Sequence, residues 1–323
     1  MRKFEKVIEI IEKRNIEGVL IPAKSVNFYY FTGIDLEIPA FLIFTKEEEY
    51  IVMENIYEEY NLGFGKLNVF YVKNMRKFIE RLSNFGYDGQ SKKFVDISSD
   101  LEKIREIKDD EELKKIKNSC SCIENLFKFI VESEIYEKRD FECYFEIKKW
   151  LAENKLLESF DPIVAYDENS SFIHGRMSGK RFSKICLLDL GVKKEKYCSD
   201  ATLTISKDDE LNSICEKIKE VVDDILANVS TNISFSTLSK IAEEKVKKIN
   251  EKYAYFKFHS LGHGIGLKVH EMPFVHSTNE EKIKEGVVFT IEPGIYVPNK
   301  YGIRFETVVA VKNGKGKKLL NIF

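Results

Sequence analysis

VVFTIEPGIYVPNKYGIRFETVVAV, residues 287–311, reads as one hairpin whose arms, VVFTIEPGIYV and IRFETVVAV, are rich in β-branched and aromatic residues and carry one acid each. Glu292 and Glu306 are fourteen positions apart, the spacing that strand, short turn and returning strand need to bring them together. An ionised carboxylate in such apolar surroundings costs several kcal/mol to desolvate unless it is paired or coordinated, so two of them point to a bound cation. The pattern repeats upstream. KICLLDLGV and KYCSDATLTI, turning around Lys193 to Glu195, place Asp189 and Asp200 eleven positions apart on another predicted hairpin. Because side chains alternate across a strand, Asp200 is expected on the face of Thr202 and Thr204, and Glu306 on that of Arg304 and Val308.

Between the hairpins lies SLGHGIGLKVHEMP, residues 260–273, where His263 stands between glycines. His259, His263 and His270 fall within a dozen residues, His276 follows closely, and His174 sits in FIHGR just before the first acidic hairpin. A lone histidine is more often structural than functional, and His276 keeps that reading; the joint placement of the others beside glycines and acids reverses it. Asp189, Asp200, His263, Glu292 and Glu306 together exceed what one zinc ion takes. Four carboxylates and one imidazole suit two ions such as manganese, iron, cobalt or zinc bridged by carboxylates, which predicts two-metal hydrolysis.

Composition frames this reading. At 323 residues with 43% hydrophobic content the chain supports two domains with real cores. Lys and Arg number 51 against 53 Asp and Glu, a net charge of −2, so there is no basic field to concentrate nucleic acid or anionic membrane. The opening MRKFEKVIEIIEKRN is studded with charge and no run approaches membrane-spanning length, so a cytoplasmic protein is expected. The six cysteines stand among apolar neighbours and read as core thiols.

The first hundred residues predict an α/β domain, with a helix over 5–14, strands at GVLIP, AFLIFT, YIVMENI and NVFYV, and a helix across MRKFIERLSNF. A long helix then carries Leu113, Ile116, Cys120, Ile123, Phe127 and Ile130 at spacings of three and four, which sets the expected domains at 1–109 and 110–323. In the second domain Asp140 is expected to cap a helix, Phe160 to Ala165 to form a strand, and amphipathic helices to include Leu211 to Ile225 and Leu238 to Val246. The whole predicts an α+β chain whose second domain has two pseudo-equivalent helix-plus-hairpin halves.

At these residues the chain resembles the pita-bread-fold metallopeptidases, the family of prolidases, Xaa-Pro aminopeptidases and methionine aminopeptidases. The segments that carry the resemblance span nearly the whole chain: NFYYFTGI, IREIKDDEELKKI, FDPIVAYDENSSFIHG, LLDLG, YCSDATLT, HSLGHGIGLKVHEMP, FTIEPGIY and GIRFET. The resemblance implies two divalent metal ions per subunit, manganese foremost with cobalt, iron or zinc as alternatives. It implies that Asp189 binds one ion, that Asp200 and Glu306 bridge both, and that His263 and Glu292 complete the second. It further implies substrate-binding and proton-handling roles for His174 and His270, substrate contact for His259 and Arg304, and proton relay by Glu292 or Glu306, with Arg304 also orienting the outer shell. A homodimer acting on peptides is the implied assembly. The added N-terminal domain and the Gly302, Arg304, Glu306 pattern steer the resemblance toward Xaa-Pro dipeptidases and aminopeptidases. Departures are Leu203 where the family's D-x-T-R-T has arginine, Ile173 where proline usually precedes the histidine, and Phe274 where many prolidases carry arginine. A metal-binding scaffold or partner-binding protein of the same fold, without peptidase activity, is the competing expectation.

Overall fold

The computed structural model describes residues 3–59, 65 and 67–323, and the chain forms two compact units, Met1–Arg105 and Glu106–Phe323. In the first, α1 (Lys3–Arg14), β1 (Gly18–Pro22), α2 (Val26–Thr32), β2 (Ala40–Thr45), β3 (Glu49–Glu54) and β4 (Asn68–Val72) precede α3 (Met75–Arg81), β5 (Phe85–Tyr87), β6 (Val95–Asp96) and α4 (Ser98–Arg105). The six strands form one mixed sheet in the order β4-β3-β2-β1-β5-β6. Leu20, Ile43, Val52, Met75 and Phe85 fill its core on one side. The helix expected across MRKFIERLSNF stops at Arg81: Leu82 is already extended at ψ 139. Phe85 is drawn instead into β5, parallel to β1, where its burial is worth more than another helical turn.

The second unit opens with α5 (Asp110–Glu132), started by a capping box in which Asp109 accepts from the Glu112 N–H at 2.8 Å and Glu112 accepts from the Asp109 N–H at 3.0 Å. Ile107 and Lys108 belong with this unit, since Ile107 bridges Val287 and the Lys108 N–H donates to the Gly286 carbonyl at 2.9 Å. α6 (Asp140–Glu153) starts at Asp140 and is not capped by it. The Asp140 carboxylate, wholly buried, instead accepts from the backbone N–H groups of Ser178 and Gly179 and tethers the loop that follows His174.

Strands β7 (Leu157–Glu158), β8 (Ile163–Tyr166), β9 (Ile185–Leu190), β10 (Val192–Lys194), β11 (Tyr197–Cys198) and β12 (Ala201–Ser206) follow, with β8, β9 and β12 forming an antiparallel sheet. Then come α7 (Asp209–Asn228) and α8 (Phe235–Asn250), both amphipathic with Leu211, Ile218, Ile225, Leu238 and Val246 buried. The chain closes with β13 (Gly262–Gly264), β14 (Glu271–Val275), β15 (Val288–Ile291), β16 (Gly294–Val297), β17 (Tyr301–Arg304), β18 (Thr307–Lys312) and β19 (Lys315–Lys318). Five of these make the sheet β14-β13-β15-β18-β19, and β16 pairs with β17. Two helices with an antiparallel sheet thus occur twice, the α+β pita-bread arrangement. All six cysteines are free and five are buried; burial pushes the Cys143 and Cys215 thiols up to about 12, which leaves them protonated packing groups. Among the described residues, no helix is long and apolar enough to cross a membrane.

Candidate metal centre

Both acidic hairpins are interrupted, and Asp200, Glu292 and Glu306 lie at the interruptions, while Asp189 stays within β9. In the second, the register that sets Ile291 opposite Thr307 resumes with Gly294 opposite Arg304, so Glu292 and Glu306 face each other in the gap. Pro293 has no N–H to donate and helps break the ladder there. The freed backbone groups bond to neighbouring segments: the Glu306 N–H donates to the Thr202 carbonyl at 3.0 Å and the Glu292 N–H to the Leu261 carbonyl at 2.9 Å. These bonds stitch the second hairpin to β12 and to the strand bearing His263. In the first hairpin Thr202, not Asp200, stands opposite Asp189. Asp200 lies outside the strand, between β11 and β12. Thr202 and Thr204 face the second hairpin and hydrogen-bond to Glu306 and Arg304, and Arg304 and Glu306 share a face toward the same cavity, as strand alternation predicts.

His263 is held where only glycine could precede it, because a Cβ on Gly262 would lie 2.0 Å from the Thr290 carbonyl oxygen. Its Nδ1 is 3.1 Å from the Gly264 carbonyl, which makes Nδ1 the donor and leaves Nε2 bare. Nε2 points at Asp200 Oδ2, 3.6 Å away, and Glu292 Oε1, 3.8 Å away. Asp200, His263 and Glu306 offer ligand atoms that all lie within 4.8 Å of one another. Asp189 enters through Arg304, whose Nη2 donates to Asp189 Oδ2 at 2.6 Å. The same guanidinium donates to Thr202 Oγ1 at 3.0 Å, to the Tyr296 hydroxyl at 2.7 Å and to the Ile173 carbonyl at 3.3 Å. Gly302 is required for this strand to pack, since a Cβ there would meet the Ser170 carbonyl oxygen at 1.9 Å.

The electrostatics describe a site built for a cation. Burial, then the charge of Glu306, pushes Asp200 far above the carboxylate range. Burial followed by Glu306 does the same to Glu292, and burial followed by Asp189 lifts Glu306 to about 8. Burial holds His263 down at about 4, with the nearby His270 adding to it, so its imidazole is neutral and available as a ligand. Among the described residues, Asp189 Oδ1 and Asp200 Oδ1 are buried side-chain oxygens with no hydrogen-bond partner. Buried carboxylate oxygens are rarely orphaned. Crowded acids, a bare imidazole nitrogen and two unpartnered oxygens fit divalent metal, with oxygen ligation dominant.

All five donors line one cavity of about 610 Å³, together with His174, His259 and His270. His259 has both ring nitrogens engaged, Nδ1 with the Ser260 carbonyl at 2.7 Å and Nε2 with the Tyr296 hydroxyl at 2.9 Å, so it braces the wall. His270 stacks edge-on to His263 with ring centres 4.2 Å apart. His276 is exposed, bonds Thr278 and lies outside the cavity lining. Sequence reasoning missed Tyr296, which links Arg304 to His259, and the role of Thr202 in joining Arg304 to Glu306. Tyr296 carried one signal, its place in the same hairpin arm as Glu292, but nothing in the sequence marks its hydroxyl as the shared partner.

A family model described as metallopeptidase family M24 matches residues 114–313, a span that contains every donor named above. The chain belongs to metallopeptidase family M24. The Xaa-Pro dipeptidase of Pyrococcus horikoshii is 31% identical over 341 residues, covering 97% of this chain and 95% of that one. Among solved structures, the prolidase from Pyrococcus horikoshii matches with a TM-score of 0.89 at 27% identity, covering 99% of this chain and 98% of the other. The X-Pro aminopeptidase from Thermotoga maritima matches with a TM-score of 0.83 at 25% identity, again covering 99% and 98%. This M24 chain is therefore a hydrolase of the metallopeptidase class with a site suited to divalent metal.

Proposed function

We propose that this chain is a dinuclear metallopeptidase that hydrolyses the bond after an N-terminal residue when proline follows, as an Xaa-Pro dipeptidase or Xaa-Pro aminopeptidase. The observation that carries the reading is the convergence of Asp200, His263 and Glu306 within 4.8 Å, beside two buried carboxylate oxygens that have no hydrogen-bond partner among the described residues. Asp189, Asp200, His263, Glu292 and Glu306 hold two divalent ions, manganese foremost with cobalt, iron or zinc as alternatives. Such ions supply Lewis-acid polarisation of the scissile carbonyl and a water of near-neutral pKa.

The chain's own residues do the rest. Arg304 orients Asp189, and Thr202 fixes the Glu306 carboxylate by donating to Oε2 at 2.8 Å. His174 and His270 line the cavity and hydrogen-bond the substrate carbonyl as negative charge grows on its oxygen. Burial lowers the pKa of His270, so it acts as a neutral donor. Glu292 passes a proton to the leaving nitrogen. The cytoplasm, which keeps thiols reduced, suits six free cysteines. A homodimer is the assembly that the family resemblance favours, and sedimentation velocity tests it.

The deciding experiment is turnover by manganese-loaded protein of Leu-Pro and of longer Leu-Pro-Xaa peptides, with Asp200→Asn alongside. Wild-type protein is expected to cleave at the X-Pro bond and the variant to lose metal-dependent turnover. Two ions bound with no cleavage of any X-Pro peptide would refute the reading, and wild-type activity in Asp200→Asn would refute the ligand assignment.

A further inference from the structure

Two arginines line the cavity, and they differ in what they already hold. Arg304 is buried and its guanidinium is engaged by Asp189, Thr202, Tyr296 and the Ile173 carbonyl. Arg176 is exposed, two residues beyond His174, in a loop that buried Asp140 tethers through Ser178 and Gly179. Its guanidinium carbon lies 4.2 Å from the centre of the Phe172 ring, the one partner of this side chain among the described residues. A guanidinium that rests its face on an aromatic ring keeps its in-plane N–H donors outward, the arrangement that takes a carboxylate through two parallel bonds.

The rest of the cavity wall offers an anion little else. Its other charged side chains besides Arg304 are acids, and Asp161 is itself occupied by the Tyr144 hydroxyl at 2.6 Å and Lys148 at 3.6 Å. Met177, Phe258 and Phe274 are exposed lining residues that make the remaining rim apolar. A substrate group bearing negative charge therefore finds Arg176 as the cation with donors to spare.

We propose that Arg176 receives the C-terminal carboxylate of the substrate and so selects dipeptides, in which that carboxylate stands one residue beyond the scissile bond. The inference rests on the X-Pro reading and narrows it. A charge-assisted contact made equally in the ground and transition states lowers KM and leaves kcat unchanged.

The test compares wild type, Arg176→Ala, Arg176→Gln and Arg176→Lys, equally metal-loaded, on Leu-Pro and on Leu-Pro amide, which lacks the carboxylate. Arg176→Ala is expected to lose about 10- to 100-fold in kcat/KM on Leu-Pro, nearly all through KM, and less than about threefold on the amide. Arg176→Gln, which keeps a stem to pack on Phe172, should show the same substrate split, and Arg176→Lys should recover part of the loss. Equal losses on both substrates, or an unchanged KM for Leu-Pro, would overturn the inference while leaving X-Pro cleavage intact. A wild-type enzyme that cleaves neither substrate would overturn the X-Pro reading and this inference with it.

Discussion

Replacing Arg304 with methionine removes a guanidinium that is 2% exposed and hydrogen-bonds four partners, the closest being Asp189 at 2.6 Å. Methionine fills much of the same stem volume, so the cost is chiefly electrostatic. Asp189 loses its ion-pair partner while Asp200 and Glu306 remain nearby, and both its oxygens are then without a donor. Breaking a buried pair from one side costs about 3–5 kcal/mol. At about 2–4 °C per kcal/mol for a unit of this size, metal-free Arg304→Met should melt about 6–20 °C below wild type. Calorimetry on chelator-treated protein measures it, and a double-mutant cycle with Asp189→Asn locates the cause. If the penalty comes from an abandoned charge, removing that charge as well must recover most of it, giving a coupling energy of at least about 2 kcal/mol. Single-mutant effects that add to within about 0.5 kcal/mol would show that Arg304 acts by packing and would refute the argument.

Metal affinity should rise with pH. Glu306 is raised from 4.5 to about 8, so the metal-free folded protein holds a proton in that window that the unfolded chain has lost. The stability this proton confers is full below pH 4.5 and is lost as pH climbs through about 8. A cation competes with the same proton, so titrations with manganese at pH 6, 7 and 8 should show affinity increasing with pH; a flat profile from pH 6 to 8 would contradict it. A separate prediction concerns Lys108 and Glu271, an ion pair at 2.9 Å with both side chains 1% exposed. Lys108→Met removes the buried cation that faces the Glu271 carboxylate and should cost about 3–5 kcal/mol in urea unfolding, and a loss below about 1 kcal/mol would mean that the pair is dispensable.

The elements were legible where side-chain pattern and packing agree. β-branched runs, glycines at close approaches and single acids inside apolar segments marked both hairpins and the His263 strand, and helical spacing marked the buried face of α5. What pattern does not encode is competition between distant partners. Asp140 has the chemistry of a helix cap, yet its carboxylate bonds the backbone of residues 178 and 179, some forty positions away. The run MRKFIERLSNF has helical composition, yet Phe85 is claimed by β1. Asp200 sits in a gap between strands, so alternation along β12 does not set its direction.

Those gaps explain why the centre is assembled from distant segments. By leaving Glu292 and Glu306 out of their ladder, the second hairpin frees two N–H groups to reach Leu261 and Thr202, and Thr202 in turn donates to Glu306 across 104 residues of sequence. Arg304 and Asp189 close a span of 115 residues in the same place. Each of these contacts joins the first half of the second unit to its second half, or β13 to the closing hairpin. The acids are therefore brought together only by the docking that also desolvates them, and without a cation that docking goes with proton uptake by the buried carboxylates. Metal binding and the packing of the two halves must accordingly be linked, each strengthening the other.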